Sequence, residues 1–217
     1  MKYVFQICHT YLPKAKTTSL YYLMRKLVSM KVIGLIGTIG SGKDIVREIL
    51  EKKFNTVSVI LSDLLETNAL KKRGIKITRT MQQNLGDELR QKYGTHVLAK
   101  IAIDFMKKTS EIKIIDGIRN PGEVDFLRQQ FSDDLKLIAI DAPQQVRFER
   151  IVKRNRDSDP KTWEEFVAVD ERDQGKDQPE YGQKVRKCIE MADVVIQNDG
   201  SLEELKKKVE EIIKQLI

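Results

Sequence analysis

The sequence predicts an α/β fold, a parallel sheet with helices packed on its faces, and three observations predict it. From Lys31 onward, short β-branched runs alternate with amphipathic segments, the pattern of βαβ units. The first run leads directly into the glycine-rich stretch Gly37-Thr38-Ile39-Gly40-Ser41-Gly42-Lys43-Asp44, which opens the amphipathic run Ile45 to Phe54. The chain has 217 residues, enough to bury one sizeable core and short for two complete α/β domains.

Taken in order, residues 1–29 form a basic extension with Pro13, a Thr and Ser cluster and a helical periodicity from Leu20 to Met30. A basic, hydroxyl-bearing, acid-free leader has the character of a targeting presequence. Arginine is scarce in it, however, and an extension or mis-assigned start with Met30 opening the domain is the preferred reading. The domain proper is then 30–217. Five runs read as strands: Lys31 to Ile36, Val57 to Leu61, Ile112 to Asp116, Leu135 to Asp141 and Val194 to Gln197. The interval 62–108 is long for one crossover, so several helices are expected there, forming a cap over one end of the sheet. A charged insertion at about 154–180, punctuated by Pro160, Gly175 and Pro179, is the expected lid. Ser201 followed by Glu204 gives the last helix, Ser201 to Ile217, a capping-box start.

Composition excludes several classes. Two cysteines, Cys8 and Cys188, make neither a disulfide framework nor a metal knuckle, and a reducing, cytoplasmic setting is expected. With only His9 and His96, no histidine-based metal site is expected. No apolar run approaches the roughly 20 residues that span a bilayer, so no membrane partner is expected. The formal charge of +7 suggests nucleic acid until its distribution is examined. Lys2, Lys14, Lys16, Arg25, Lys26 and Lys31 face no acidic residue in the first 31, whereas the rest of the chain is nearly balanced. A nucleic-acid partner is therefore not expected, and the sequence says nothing of oligomeric state.

The chemistry-bearing signal is the stretch Gly37, Thr38, Ile39, Gly40, Ser41, Gly42, Lys43, which matches GxxxxGK. Such glycines let successive backbone N–H groups face inward, and the next helix turns its positive end toward a phosphate. Lys43 would reach the β and γ phosphates of ATP. The hydroxyl that usually follows the lysine and touches Mg²⁺ is replaced by Asp44, a carboxylate able to ligate the ion itself or through water. A dinucleotide fingerprint fails at its third glycine, where Ile45 stands. The strand Ile112 to Asp116 ends in a second carboxylate. Beside the first strand, Asp116 would serve Mg²⁺; otherwise it caps a helix. Arg119 follows at the carboxyl end of the sheet, where open α/β folds bind ligands, and is a candidate clamp on the acceptor.

Asp63 ends the second strand at the same edge and is either a base for a hydroxyl acceptor or a helix cap. In the segment Arg79 to Arg90, the residues Arg79, Gln82 and Arg90 are potential acceptor contacts, weighed against a solvated helix face. Arg147, Arg150, Arg154 and Arg156 crowd the approach to the lid. Arg150 and Arg154 are the first candidates for stabilising charge on a triphosphate. Asn198, in the turn after the last strand, could border the adenine ring.

Together the GSGKD loop, RTMQQNLGDELR, IIDGIRNPGEVDF and ADVVIQNDGSLEEL resemble the P-loop kinases related to adenylate kinase, over Met30 to Ile217. Dephospho-coenzyme A kinases and phage-type deoxynucleoside monophosphate kinases are similar in particular, and the resemblance is greatest to a largely archaeal P-loop family labelled AAA-type or adenylate-kinase-like. The resemblance implies a P-loop NTPase fold, three layers α/β/α around a five-stranded parallel sheet with a helical acceptor cap and lid. It also implies phosphotransfer from ATP, with Mg²⁺, to a nucleotide-like small-molecule acceptor. A nucleoside monophosphate is the expected acceptor; dephospho-coenzyme A, and a nucleotide switch hydrolysing ATP with a partner, are the alternatives.

Overall fold

The computed structural model describes residues 31–66, 78–106 and 110–216; the extension 1–29 and parts of the expected cap lie outside them. Five strands, β1 (Lys31–Gly37), β2 (Thr56–Ile60), β3 (Ile112–Ile118), β4 (Leu135–Asp141) and β5 (Val194–Gln197), form one sheet. Every pairing is parallel and the order is β2-β3-β1-β4-β5. The five expected strands are all present; β4 and β5 have the expected bounds, and the other three differ by a residue or two at their ends. β3 runs two residues further than its apolar pattern, because Gly117 and Ile118 continue the ladder beyond Asp116.

Nine helices connect and cover the strands among the described residues. They are α1 (Lys43–Lys53), α2 (Leu61–Glu66), α3 (Arg79–Tyr93), α4 (Val97–Phe105), α5 (Pro121–Phe131), α6 (Gln144–Arg154), α7 (Trp163–Gln174), α8 (Val185–Glu190) and α9 (Leu202–Leu216). The period of two along each strand divides the core into two apolar layers. Val32, Ile36, Leu137 and Ala139 face the side covered by α4, α5 and α8. Ile33, Leu35, Ile112, Ile114 and Ile140 face the side covered by α1 and α9. Strands buried on both faces need near-continuous apolar runs, and β1 and β3 have them.

Two departures from alternation and composition matter for the site. Between Leu35 and Ile36 of β1 the register with β3 shifts by one, so Asp116 pairs with Leu35 and Ile118 with Ile36. The extra residue is Gly117, whose φ of 91° only glycine adopts without strain. The bulge leaves Asp116 on the α1 side with Ile112 and Ile114 and turns Ile118 to the opposite layer. The charged interval 154–180, expected as a lid, contains α7, which opens with a Thr162–Glu165 capping box and ends at Gly175 with φ 103°. Its inner face carries Phe166, Asp170 and Asp173, each at most 1% exposed, so this helix packs into the body of the fold.

Candidate functional site

β1 ends where the loop 37–42 curls onto the N-terminus of α1. Three contacts hold the loop from below. Gly40, at φ 78°, lets the chain pass so close to α6 that a Cβ there would lie 2.6 Å from the Arg147 carbonyl oxygen. Arg147 Nη1 donates to the Ile39 carbonyl at 3.2 Å, and Ile39 itself packs against Ile151 and Phe166. On the other flank, Asn198 Nδ2 donates to the Ser41 carbonyl at 2.7 Å. Asn198 thus binds the loop directly, and Arg150 Nη1 donates 3.0 Å to the Asn198 carbonyl.

At the head of α1, Lys43 Nζ lies 2.5 Å from Asp116 Oδ1 and 3.6 Å from Asp44 Oδ1. Arg47, one turn along the same helix face, reaches Asp116 Oδ2 with Nε at 3.1 Å and pairs with Glu51. Asp116 is 1% exposed, so two cations compensate one buried carboxylate. Burial pushes the Asp44 carboxyl up, but the charges of Lys43 and Arg156 outweigh it and hold it at about 2. Arg156 Nη2 meets Asp44 Oδ2 at 3.0 Å on the surface.

The residues present fit a triphosphate and its metal. The Ser41 hydroxyl is buried without a hydrogen-bond partner among the described residues, and the loop joins a helix N-terminus whose dipole favours anions. Asp44 and Asp116 flank Lys43. Among the described residues no cluster of three or more His, Cys, Asp or Glu could enclose a metal ion. Two carboxylates, with the remaining ligands drawn from phosphate and water, suit Mg²⁺ rather than a cation that needs an all-protein cage.

Beyond the Gly117 bulge lies a narrow cleft open to solvent. Leu61, Leu65 and Leu98 give it an apolar wall, and Ser62, Gln82, Arg79, Arg90, Arg119 and Gln183 line it with polar groups. The guanidiniums differ in their partners. Arg90 is matched by Glu123, Nε to Oε1 at 2.9 Å, and by Asp87. Arg119 Nη1 donates to both oxygens of Asp173, at 3.0 and 3.1 Å, and to Gln183. Arg79 has one bond, Nη1 to Gln82 Oε1 at 3.3 Å, and its Nε is buried without a partner among the described residues. Burial, and then the neighbouring charge of Arg119, push the Arg79 guanidinium down to about 10.

The structure therefore brings together Gly37 to Asp44, Asp116 and Asn198 on one side, and Arg79 and Arg119 on the other. Arg154 lies close enough for its charge to act on both Asp44 and Arg79. It forms a two-pronged ion pair with Asp159, both bonds 2.7 Å, and Arg150 is engaged by Asn198. Asp63 is exposed on α2, and Ser62 occupies the cleft wall in its place. Sequence reasoning missed Arg47, Asp170, Asp173 and Gln183. Arg47 was within reach, since a residue four beyond Lys43 shares its helix face; the other three carry no local signal.

A family model described as an AAA domain matches residues 33–174. The UPF0200 protein of Thermococcus gammatolerans is 33% identical over 190 residues, covering 86% of this chain and 95% of the relative. The UPF0200/UPF0201 protein of Archaeoglobus fulgidus is also 33% identical over 193 residues, 88% of this chain, and the chain spans 57% of that longer relative. In architecture the chain is similar to a shikimate kinase from Bacteroides thetaiotaomicron, with a TM-score of 0.50 and 15% identity over 86% of this chain and 98% of that one.

Proposed function

Since the chain belongs to the AAA domain family and to the UPF0200 family, we propose that it is an ATP-dependent kinase transferring the γ-phosphoryl group to a nucleoside monophosphate. The observation that carries this reading is the Arg79 guanidinium, buried in the cleft beside Arg119, with an Nε that has no hydrogen-bond partner among the described residues. Two guanidiniums held together at a cost in burial favour a phosphate as ligand.

The loop amides and Lys43 hold the β and γ phosphates. Asp44 and Asp116 are the residues that would hold Mg²⁺, which would neutralise charge on the phosphates. An oxygen of the acceptor phosphate forms the new bond to the γ phosphorus as the bond to the β–γ bridging oxygen breaks. The bridging oxygen keeps the electron pair, giving ADP. A monophosphate with a second pKa near ~6 is ionised at neutral pH and needs no general base. A hydroxyl acceptor such as dephospho-coenzyme A would need one, and the candidate, Asp63, is exposed outside the cleft lining.

The test is ATP consumption by the full chain with each ribo- and deoxyribonucleoside monophosphate and with dephospho-coenzyme A, using Lys43→Ala as control. Acceleration by one monophosphate, lost in Arg79→Ala, is expected. Acceleration by dephospho-coenzyme A alone, or only slow Lys43-dependent hydrolysis with every acceptor, would overturn the reading.

A further inference from the structure

Helix α7 has a buried face of unusual composition. Phe166, Asp170 and Asp173 follow one another at spacings of four and three, so they share one side of the helix. Carboxylates in such positions are tolerated only with partners, and each has several. Asp170 forms the buried ion pair with Arg147 and also accepts from Gln144 Nε2 at 3.0 Å and Gln174 Nε2 at 2.7 Å. Asp173 accepts from Arg119 and, at 2.7 Å, from Gln83 Nε2. Gln83 also donates to the Val169 carbonyl, and Arg172 reaches Asp87 of α3 at 2.8 Å.

The two aspartates lead in opposite directions. Through Arg147, Asp170 reaches the Ile39 carbonyl of the phosphate loop, and Phe166 packs on the Ile39 side chain. Through Arg119 and Gln83, Asp173 holds the acceptor cleft and the helix α3 that carries Arg79. One rigid turn of helix separates them. Networks of buried ion pairs on a single rigid element are the kind of connection that carries energy between sites.

We propose that α7 is a strut joining the two halves of the site, with Asp173 and Asp170 as positioning residues, so that the state of Arg119 sets how firmly the phosphate loop is held. An anion arriving at Arg119 competes with Asp173 for the same guanidinium, shifts the load on α7, and alters the loop through Asp170, Arg147 and Ile39. Occupancy of the cleft and nucleotide affinity are then linked, and by reciprocity nucleotide binding changes the cleft. The affinity part rests on the reading of the loop as a nucleotide site; the mechanical part does not.

The experiment compares wild type with Asp173→Asn as full chains, by amide hydrogen exchange and by binding of the non-hydrolysable analogue AMP-PNP. Binding is followed through Trp163, the only tryptophan, which meets Phe148 edge-on at 5.2 Å. Amides of 38–42 are expected to exchange about tenfold faster relative to those of β1 and β4. AMP-PNP is expected to bind about fivefold more weakly or worse, although Asp173 makes no contact with the loop. Changes confined to 79–90 and 117–123, with loop exchange and AMP-PNP affinity at wild-type values, would overturn the strut. If β1 exchange shows that Asp173→Asn has lost its fold, Arg119→Lys, which keeps the charge and loses the fork, is judged by the same criteria. If wild type itself fails to bind AMP-PNP, the nucleotide reading fails, and the exchange comparison still decides the strut.

Discussion

The two halves of the site are built in different ways. The phosphate-loop half is nearly contiguous, since residues 37–44 supply the loop and its lysine, and Arg47, Asp116, Arg147, Arg156 and Asn198 come to it from elsewhere. The cleft half is gathered from α2, α3, α4, the end of β3 and the segment before α8. A contiguous site is shaped by local backbone geometry, so its spacing is its signature. A dispersed site exists only after the sheet has brought distant segments to one edge. The difference also separates grip from chemistry. Beneath the phosphate loop, Arg147 bonds the Ile39 carbonyl and is itself held by buried Asp170, whereas the pair above it, Arg156 with Asp44, lies at the surface.

That contrast can be broken from below first. Arg147→Ala leaves Asp170 buried without its cation and frees the Ile39 carbonyl; a loss of about 3–5 kcal/mol in urea unfolding is expected. Lys43→Ala removes one of the two cations on buried Asp116 and should destabilise less than Arg147→Ala, because Arg47 remains, while lowering the transfer rate by about 10²–10³, the scale of a lost transition-state charge contact. Steady-state kinetics with the acceptor identified in the screen provide the check. Arg79→Ala removes an unpaired cation, so the protein should be no less stable, and the KM for the acceptor should rise by about tenfold or more while the KM for ATP stays within about twofold. A rise in the ATP constant instead would assign Arg79 to the phosphate-loop half.

Arg156→Ala should change stability by no more than about 1 kcal/mol, because Arg156 is well exposed and water screens the pair. Acid titration sharpens the same point. The Asp44 carboxyl sits near 2 against an ordinary 3.8, so its pairing contributes fully above about pH 4 and is lost as pH falls toward 2. Asp44→Ser should remove a small part of the acid destabilisation seen in urea midpoints between those values, and a midpoint profile unchanged by the substitution would count against the Lys43 and Arg156 contacts.

Much of the fold was legible because it rests on short-range patterns. Apolar runs of strand length, the glycine loop and the amphipathic α1 each declare themselves within about ten residues. Asp116 was legible as well: it falls two residues after Ile114, so alternation keeps it on the α1 side where Lys43 stands. The arginines were not. Arg150 and Arg154 stand in a basic crowd that resembles a clamp, yet one answers Asn198, 48 residues away, and the other Asp159, five residues on. Arg79 was visible only as one polar residue on a helix, and nothing local distinguishes a guanidinium without a carboxylate from one that has found its partner.

The sequence by itself determined the element types, the parallel α/β class and the phosphate loop, because backbone propensity, the period of two and a fixed glycine spacing act over one element at a time. Tertiary structure alone decided which charges are spent on each other and which remain for a ligand. Arg119 meets Asp173 across 54 residues and Gln83 meets it across 90; such pairs are fixed by which helices the sheet sets side by side, and burial then makes each pairing, or its absence, count.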